Sequence, residues 1–326
     1  MKYEKFFKLI GFILVLILAL IVVNVPWLIN VSYYYDLDPF TYIRMLDSGA
    51  YATSLKFDFF NFFNYISNEW GWRKIAVALE TIGFQSEFIF FTIIPMFIYV
   101  LNFYILLEKK ILNYFWLLLH PLLLMFYLNQ LRLALAIVIF SVFFILIKNK
   151  KIFYICVFPL SLIHTSIIIF IIIFIIIDLI LNRIYRKSFQ VFFLILLGIA
   201  VVYVTGPMIG QILTLIGDRR ADIYSSNDWN SSFLSSVYWL LILLFFILST
   251  YRLKKISFEI AIAIVFLSLI VVSPFFEGGY PYRFLTAVFI IIIIAIAQLP
   301  IVSRYSILIL LMMSFIYQGI YLLYWI

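Results

Sequence analysis

Cysteine and histidine are nearly missing from this chain. Its 326 residues hold one cysteine, Cys156, and two histidines, His120 and His164. No disulfide can form within it, and a Cys-rich or multi-His metal site has no ligands to draw on. Cys156 lies in an apolar run and reads as a small buried hydrophobe. Charge is scarce as well: 12% of residues are charged, against about 25% in an ordinary soluble domain. Acids are scarcer than bases, 15 against 23, for a net charge of +8. No Walker A loop, GxSxG elbow, HExxH or GxGxxG occurs, so ATP-driven pumping, serine hydrolysis, zinc proteolysis and dinucleotide chemistry lack their machinery.

What fills the space is hydrocarbon. Hydrophobic residues make up 67% of the chain, where a soluble domain carries about 45–50%. The mean hydropathy is +1.18. A soluble core has nowhere to put so much Ile, Leu and Phe, so the partner is a lipid bilayer and the positive charge is a question of sidedness, not of nucleic acid. Apolar runs cover 9–29, 88–107, 111–128, 133–147, 152–163, 165–181, 189–216, 233–250, 256–276, 284–300 and 305–326. A spanning helix needs about 20 apolar residues. The runs are continuous rather than alternating, which excludes a β-barrel. The expectation is an all-α polytopic membrane protein of about eleven spans, one membrane domain over 1–326.

Lysines set the orientation. Lys2, Lys5 and Lys8 precede the first run, which is too long for a cleaved signal segment and reads as a retained helix with a cytoplasmic N-terminus. The 30-residue stretch Ile152–Leu181 has Lys148, Lys150 and Lys151 before it and Arg183, Arg186 and Lys187 after it. A single crossing would put one basic cluster outside, so a hairpin with its apex at 161–166 is favoured. The same argument makes 111–147 a hairpin with Asn129, Gln130 and Arg132 at its outer apex. Residues 133–147 span only about 22 Å as helix, short of the roughly 30 Å hydrocarbon core. Arg132 and His164 are therefore expected below the outer surface. Three outer loops follow: 30–87, with an aromatic stretch over 57–72 read as an interfacial helix or an anchoring belt, then 217–232 and 276–283.

Few charges stand at membrane depth, and each is expensive there. Arg132 has no acidic residue within twenty positions, so its partner is distant in sequence or a ligand; guanidinium suits phosphate or carboxylate. The alternatives are snorkelling to the interface and internal pairing with an acidic loop residue. His164, beside Thr165 and Ser166, is an acid, base or phosphate contact, or simply hydrogen-bonded to a neighbouring helix. His120, beside Pro121, reads as structural. Arg219 and Arg220 form an outer basic pair or a solvated loop. Asp36 and Asp38 form a DxD, which fits a cation site, a carboxylate base or plain loop chemistry.

Together these residues carry a resemblance. Asn129-Gln130-Leu-Arg132-Leu-Ala134-Leu-Ala136, the basic turn Lys148–Lys151, and His164-Thr165-Ser166 resemble the N-Q-x-R-x-x-x-A segment, cytoplasmic turn and H-x-S apex of the EpsG family. That family is related to the Wzy-type polymerases of bacterial surface polysaccharide. Asp38 and Tyr42 match its early D-x-x-x-Y. Glu69 and Ile82-Gly83-Phe84-Gln85 match an acidic residue and an L-G-F-like stretch, and Arg283 matches a late outer arginine. Ile167 departs from the usual small residue after H-x-S. The resemblance implies a GT-C-like fold and glycosyl transfer on the outer face of the bacterial cytoplasmic membrane. Donor and acceptor would be undecaprenyl-pyrophosphate-linked repeat units. Arg132, Arg283, Arg219 and Arg220, with Asn129, Gln130 and Tyr42, would bind substrate. Asp38 is the first choice of base, with Glu69, Glu277 and His164 in reserve. No metal or other cofactor is expected. A chain-length regulator and a flippase are partners by association. The rivals are a flippase or transporter of lipid-linked sugars, an O-antigen ligase, and an acyltransferase of surface glycans.

Overall fold

The computed structural model describes residues 2–24, 38–52, 62–216, 232–276 and 281–324, and all regular structure among them is helical. Five helices are long and apolar enough to cross a membrane: Ser86–Glu108, Lys187–Thr205, Phe233–Arg252, Phe258–Phe275 and Ile301–Ile320. Two bent pairs raise this to seven if each pair is one span. Among the described residues the chain is thus all-helical, with the apolar spans of a membrane protein.

It divides into two compact units, one formed by Met1–Ile171 with Phe315–Ile326 and the other by Ile172–Ser314. In the first unit, α1 (Lys2–Asn24) packs on α5 (Ser86–Glu108), with Gly11 facing Leu107. Three short helices lie between them in sequence: α2 (Asp38–Asp47), α3 (Phe62–Ser67) and α4 (Trp70–Thr81). A 3-10 helix, Leu112–Leu119, leads into α6 (Pro121–Asn129) with a bend of 74°. α7 (Leu131–Leu146) packs on α5. α8 (Lys150–Val157) runs into a 3-10 turn, Phe158–Leu162; α9 (Ile167–Arg183) starts in this unit and belongs to the second from Ile172 on.

In the second unit the central helix is α13 (Phe258–Val272), whose residues from Ala261 to Leu267 are wholly buried. Around it pack α10 (Lys187–Thr205), α12 (Phe233–Arg252), α14 (Pro281–Ala287) and α15 (Phe289–Gln298). α11 (Ile209–Ile216) follows α10, and α16 (Ile301–Tyr324), which belongs to this unit up to Ser314 and to the first from Phe315, ends the described chain. Gly198 of α10 approaches α13 so closely that a Cβ there would lie 2.5 Å from the Val265 carbonyl oxygen. Only glycine permits that helix contact.

Several expected single runs are broken. The run 111–128 bends at His120-Pro121, because proline cannot continue a helix and starts a new one at N1. The run 189–216 breaks at Gly206-Pro207-Met208 for the same reason. The run 284–300 breaks at Val288, with a 57° bend between α14 and α15, although no Pro or Gly stands there. The aromatic stretch 57–72 is, over its described part 62–72, two helices separated by a turn at Asn68-Glu69 rather than one. Its Tyr65 and Trp72 are buried in the protein. Residues 57–61 of that stretch lie outside the described residues.

Candidate functional site

The first unit gathers six residues that stand far apart in sequence. The centre is Arg132, in the first turn of α7. The chain breaks at Gln130, whose backbone (φ −91°, ψ 54°) lies between α6 and α7. That break puts Asn129 at the end of one helix and Arg132 two residues into the next. A cation in the first turn opposes the helix dipole, so something nearby must hold it.

Glu69 and Tyr42 do so. The Arg132 Nη1 forms an ion pair with Glu69 Oε2. Its Nε donates to the Tyr42 hydroxyl at 2.7 Å, and its Cζ lies 4.9 Å from the Tyr42 ring centroid. Among the described residues no hydrogen bond reaches Nη2. The Arg132 side chain keeps 24% of its surface exposed, while Glu69 keeps 3%. Arg132 therefore does pair internally with an acidic loop residue, one of the alternatives raised by its sequence position. Its fork is not exhausted by that pairing, since a guanidinium has five N–H donors in a fixed geometry.

Glu69 reaches inward through an unusual backbone. It precedes α4 with φ 51° and ψ 48°, the left-handed region that a non-glycine residue occupies only at a cost. Two residues on, Gly71 lets the start of α4 seat against the 3-10 turn: a Cβ there would lie 3.1 Å from both Leu162 Cβ and the Leu162 carbonyl oxygen. That approach brings Glu69 Oε1 to 3.7 Å from His164 Nε2. The other ring nitrogen, Nδ1, accepts the Ser166 N–H at 3.2 Å. An accepting Nδ1 puts the proton of the neutral imidazole on Nε2, facing the Glu69 carboxylate. His164 thus stands beside Glu69, its Nε2 3.7 Å from the carboxylate.

Asp38 opens α2, and Tyr42 follows one turn later on the same face. The Tyr42 hydroxyl donates to Asp38 Oδ2 at 2.8 Å. The Asp38 N–H donates to Asn129 Oδ1 at 3.0 Å. Tyr42 is 2% exposed. Its ring stands edge-on to Trp72, centroids 5.1 Å apart, and 5.6 Å from Phe90. Phe90 belongs to a π-helical turn, Ile89–Ile93, inside α5, a feature that re-aims side chains and recurs at functional sites. Burial pushes the Tyr42 phenol well above its ordinary value; Arg132 pulls it down and the Asp38 carboxylate pushes it up again. The phenol keeps its proton, which is the one Asp38 receives. Trp72 Nε1 in turn donates to the Tyr51 hydroxyl at 3.4 Å.

Of the residues expected from sequence, Asp38, Tyr42, Glu69, Asn129, Arg132 and His164 come together. Gln130 forms the helix break, and its carbonyl accepts the Ala134 N–H at 2.9 Å. Arg283 lies half-buried in the first turn of α14, in the second unit. Arg219, Arg220 and Glu277 lie outside the described residues. His120 is fully buried and caps α6, its Nδ1 accepting the Leu122 N–H at 3.3 Å. Phe90, Tyr51 and Gly71 support the site without any expectation from sequence, and Trp72, read there only as part of the aromatic stretch, supports it too. Only Gly71, a glycine between two tryptophans, offered a local signal. Comparison with family models, curated proteins and solved structures finds no match to this chain.

Proposed function

We propose that this chain is a polytopic glycosyltransferase of the bacterial cytoplasmic membrane, with about eleven spans and a GT-C-like architecture. It joins undecaprenyl-pyrophosphate-linked repeat units on the outer face, as the EpsG resemblance implies. The observation that carries the reading is the Arg132 guanidinium, held at Nε by Tyr42 and at Nη1 by Glu69, with no hydrogen bond from Nη2 among the described residues. A fixed fork beside the first N–H groups of α7 favours an anion.

In the reaction an acceptor hydroxyl oxygen attacks the anomeric carbon of the donor. The bond from that carbon to the pyrophosphate oxygen breaks, and its electron pair leaves with the pyrophosphate. Arg132 stabilises the charge that grows there. The Asp38 carboxylate takes the hydroxyl proton. Asp38 is half-buried and accepts one hydrogen bond from Tyr42. Glu69 pairs with Arg132 and serves as its counter-ion, with the His164 ring beside it. The expectation that Arg283, Arg219 and Arg220 share the anion rests on the resemblance alone.

Deleting the protein in its host tests the reading. Loss of a polymerase leaves single repeat units on the surface acceptor. Surface glycan absent altogether points to a flippase or a ligase, and full-length chains point to an acyltransferase; either result overturns the proposal.

A further inference from the structure

Asn129 and Tyr42 match motif positions expected to touch substrate, and the geometry gives them another task. Three hydrogen bonds close a circuit through two distant segments. The Asn129 side chain holds the Asp38 N–H. The Asp38 carboxylate holds the Tyr42 hydroxyl. The same hydroxyl oxygen holds Arg132 Nε, and Arg132 stands three residues after Asn129 in the chain. We infer that Tyr42 and Asn129 are positioning residues that fix the Asp38 carboxylate at one distance and orientation from the Arg132 guanidinium. The inference rests on the reading of Asp38 as base and Arg132 as anion anchor.

The phenol has one proton and gives it to Asp38 Oδ2. Its acceptor side is engaged by Arg132, and its ring is walled in by Trp72 and Phe90. It has no surface to offer a sugar. Asn129 spends its carbonyl oxygen on the first N–H of α2, one of the donors that a helix leaves without a partner inside itself. Among the described residues no hydrogen bond reaches Asp38 Oδ1. That oxygen is the one left to take the proton from the acceptor hydroxyl. One phenol oxygen thus links anchor and base, and the reaction requires both at a fixed spacing across a single glycosidic bond.

The test uses the full chain in liposomes, supplied with the lipid-linked repeat units that accumulate in host cells lacking the protein. Tyr42→Phe keeps the ring and its packing and removes only the hydroxyl. It should lower kcat by about tenfold with KM changed by less than about twofold. Asn129→Ala should lower kcat in the same direction. Wild-type kcat in Tyr42→Phe overturns the inference, and so does a raised KM at unchanged kcat, which would make Tyr42 a substrate contact. Asp38→Asn at full kcat overturns the underlying reading instead. A substrate-free readout stands beside these. Asn129→Ala should speed amide exchange over Asp38–Asp47 by about tenfold and leave Leu131–Leu146 unchanged. Unchanged exchange over Asp38–Asp47 overturns the inference.

Discussion

Replacing Glu69 by Gln removes one charge at nearly constant shape. In the folded protein it takes the nearest carboxylate from Arg132, leaving the guanidinium the Tyr42 hydroxyl, a neutral amide oxygen and the field of Asp38. Breaking a buried ion pair on one side costs about 3–5 kcal/mol, because the remaining charge stays out of water. Arg132 keeps 24% exposure, so water recovers part of that, and a loss of about 2–3 kcal/mol is expected. For a unit of this size that corresponds to a fall in Tm of roughly 4–10 °C. The assay is thermal unfolding of the purified protein in detergent, followed by the fraction that still elutes as a single species. Glu69→Gln combined with Arg132→Met removes the stranded charge, so the double variant should be more stable than Glu69→Gln alone. The coupling between the two sites should exceed about 1 kcal/mol. If Glu69→Gln unfolds within about 1 °C of the parent, or the two changes simply add, the pairing does not hold the site together.

Two further predictions concern glycines. Gly71→Ala places a Cβ 3.1 Å from Leu162 Cβ and the Leu162 carbonyl oxygen, and relief requires α4 to move off the 3-10 turn. Its Tm should fall by a few degrees, at a cost of about 1–2 kcal/mol, and His164→Ala in the same background should then cost little more. Gly198→Ala meets the Val265 carbonyl oxygen at 2.5 Å, a backbone atom that cannot swing away, so yield of folded protein in the membrane should collapse. Ser268→Ala, across the same contact, should be neutral or stabilising, because the buried Ser268 Oγ has no hydrogen-bond partner among the described residues. Comparing membrane yield of the last two variants checks both.

Much of the site was legible because its chemistry is rare in the chain. An arginine and a histidine between apolar runs are conspicuous in a sequence with 12% charge, and the cost of burying them marks them as paired or ligand-bound. The identity of the partner was not legible. Glu69 lies 63 residues before Arg132, and what turns it inward is a left-handed backbone that no residue type there announces. Tyr42 was readable as a motif position, but its ring is walled by Phe90 only because α5 contains a π-helical turn. Helix breaks at His120-Pro121 and Gly206-Pro207 follow from proline. The break at Val288 follows no proline or glycine; two residues before it the Thr286 hydroxyl donates to the Tyr282 and Arg283 carbonyls, a bonding that bends helices. The break at 163–166 falls within 161–166, the stretch where the flanking basic clusters lead the sequence to be read as a hairpin apex.

The proposed role of Arg132 is to present its guanidinium to the anionic leaving group. Its most direct test is polymer formation by Arg132→Lys and Arg132→Ala at equal expression, read as length and amount on a silver-stained gel. Lysine keeps the charge but loses the fork, so both variants should fall by about a hundredfold or more in polymer formed. Unchanged polymer length and amount in both variants would contradict the account.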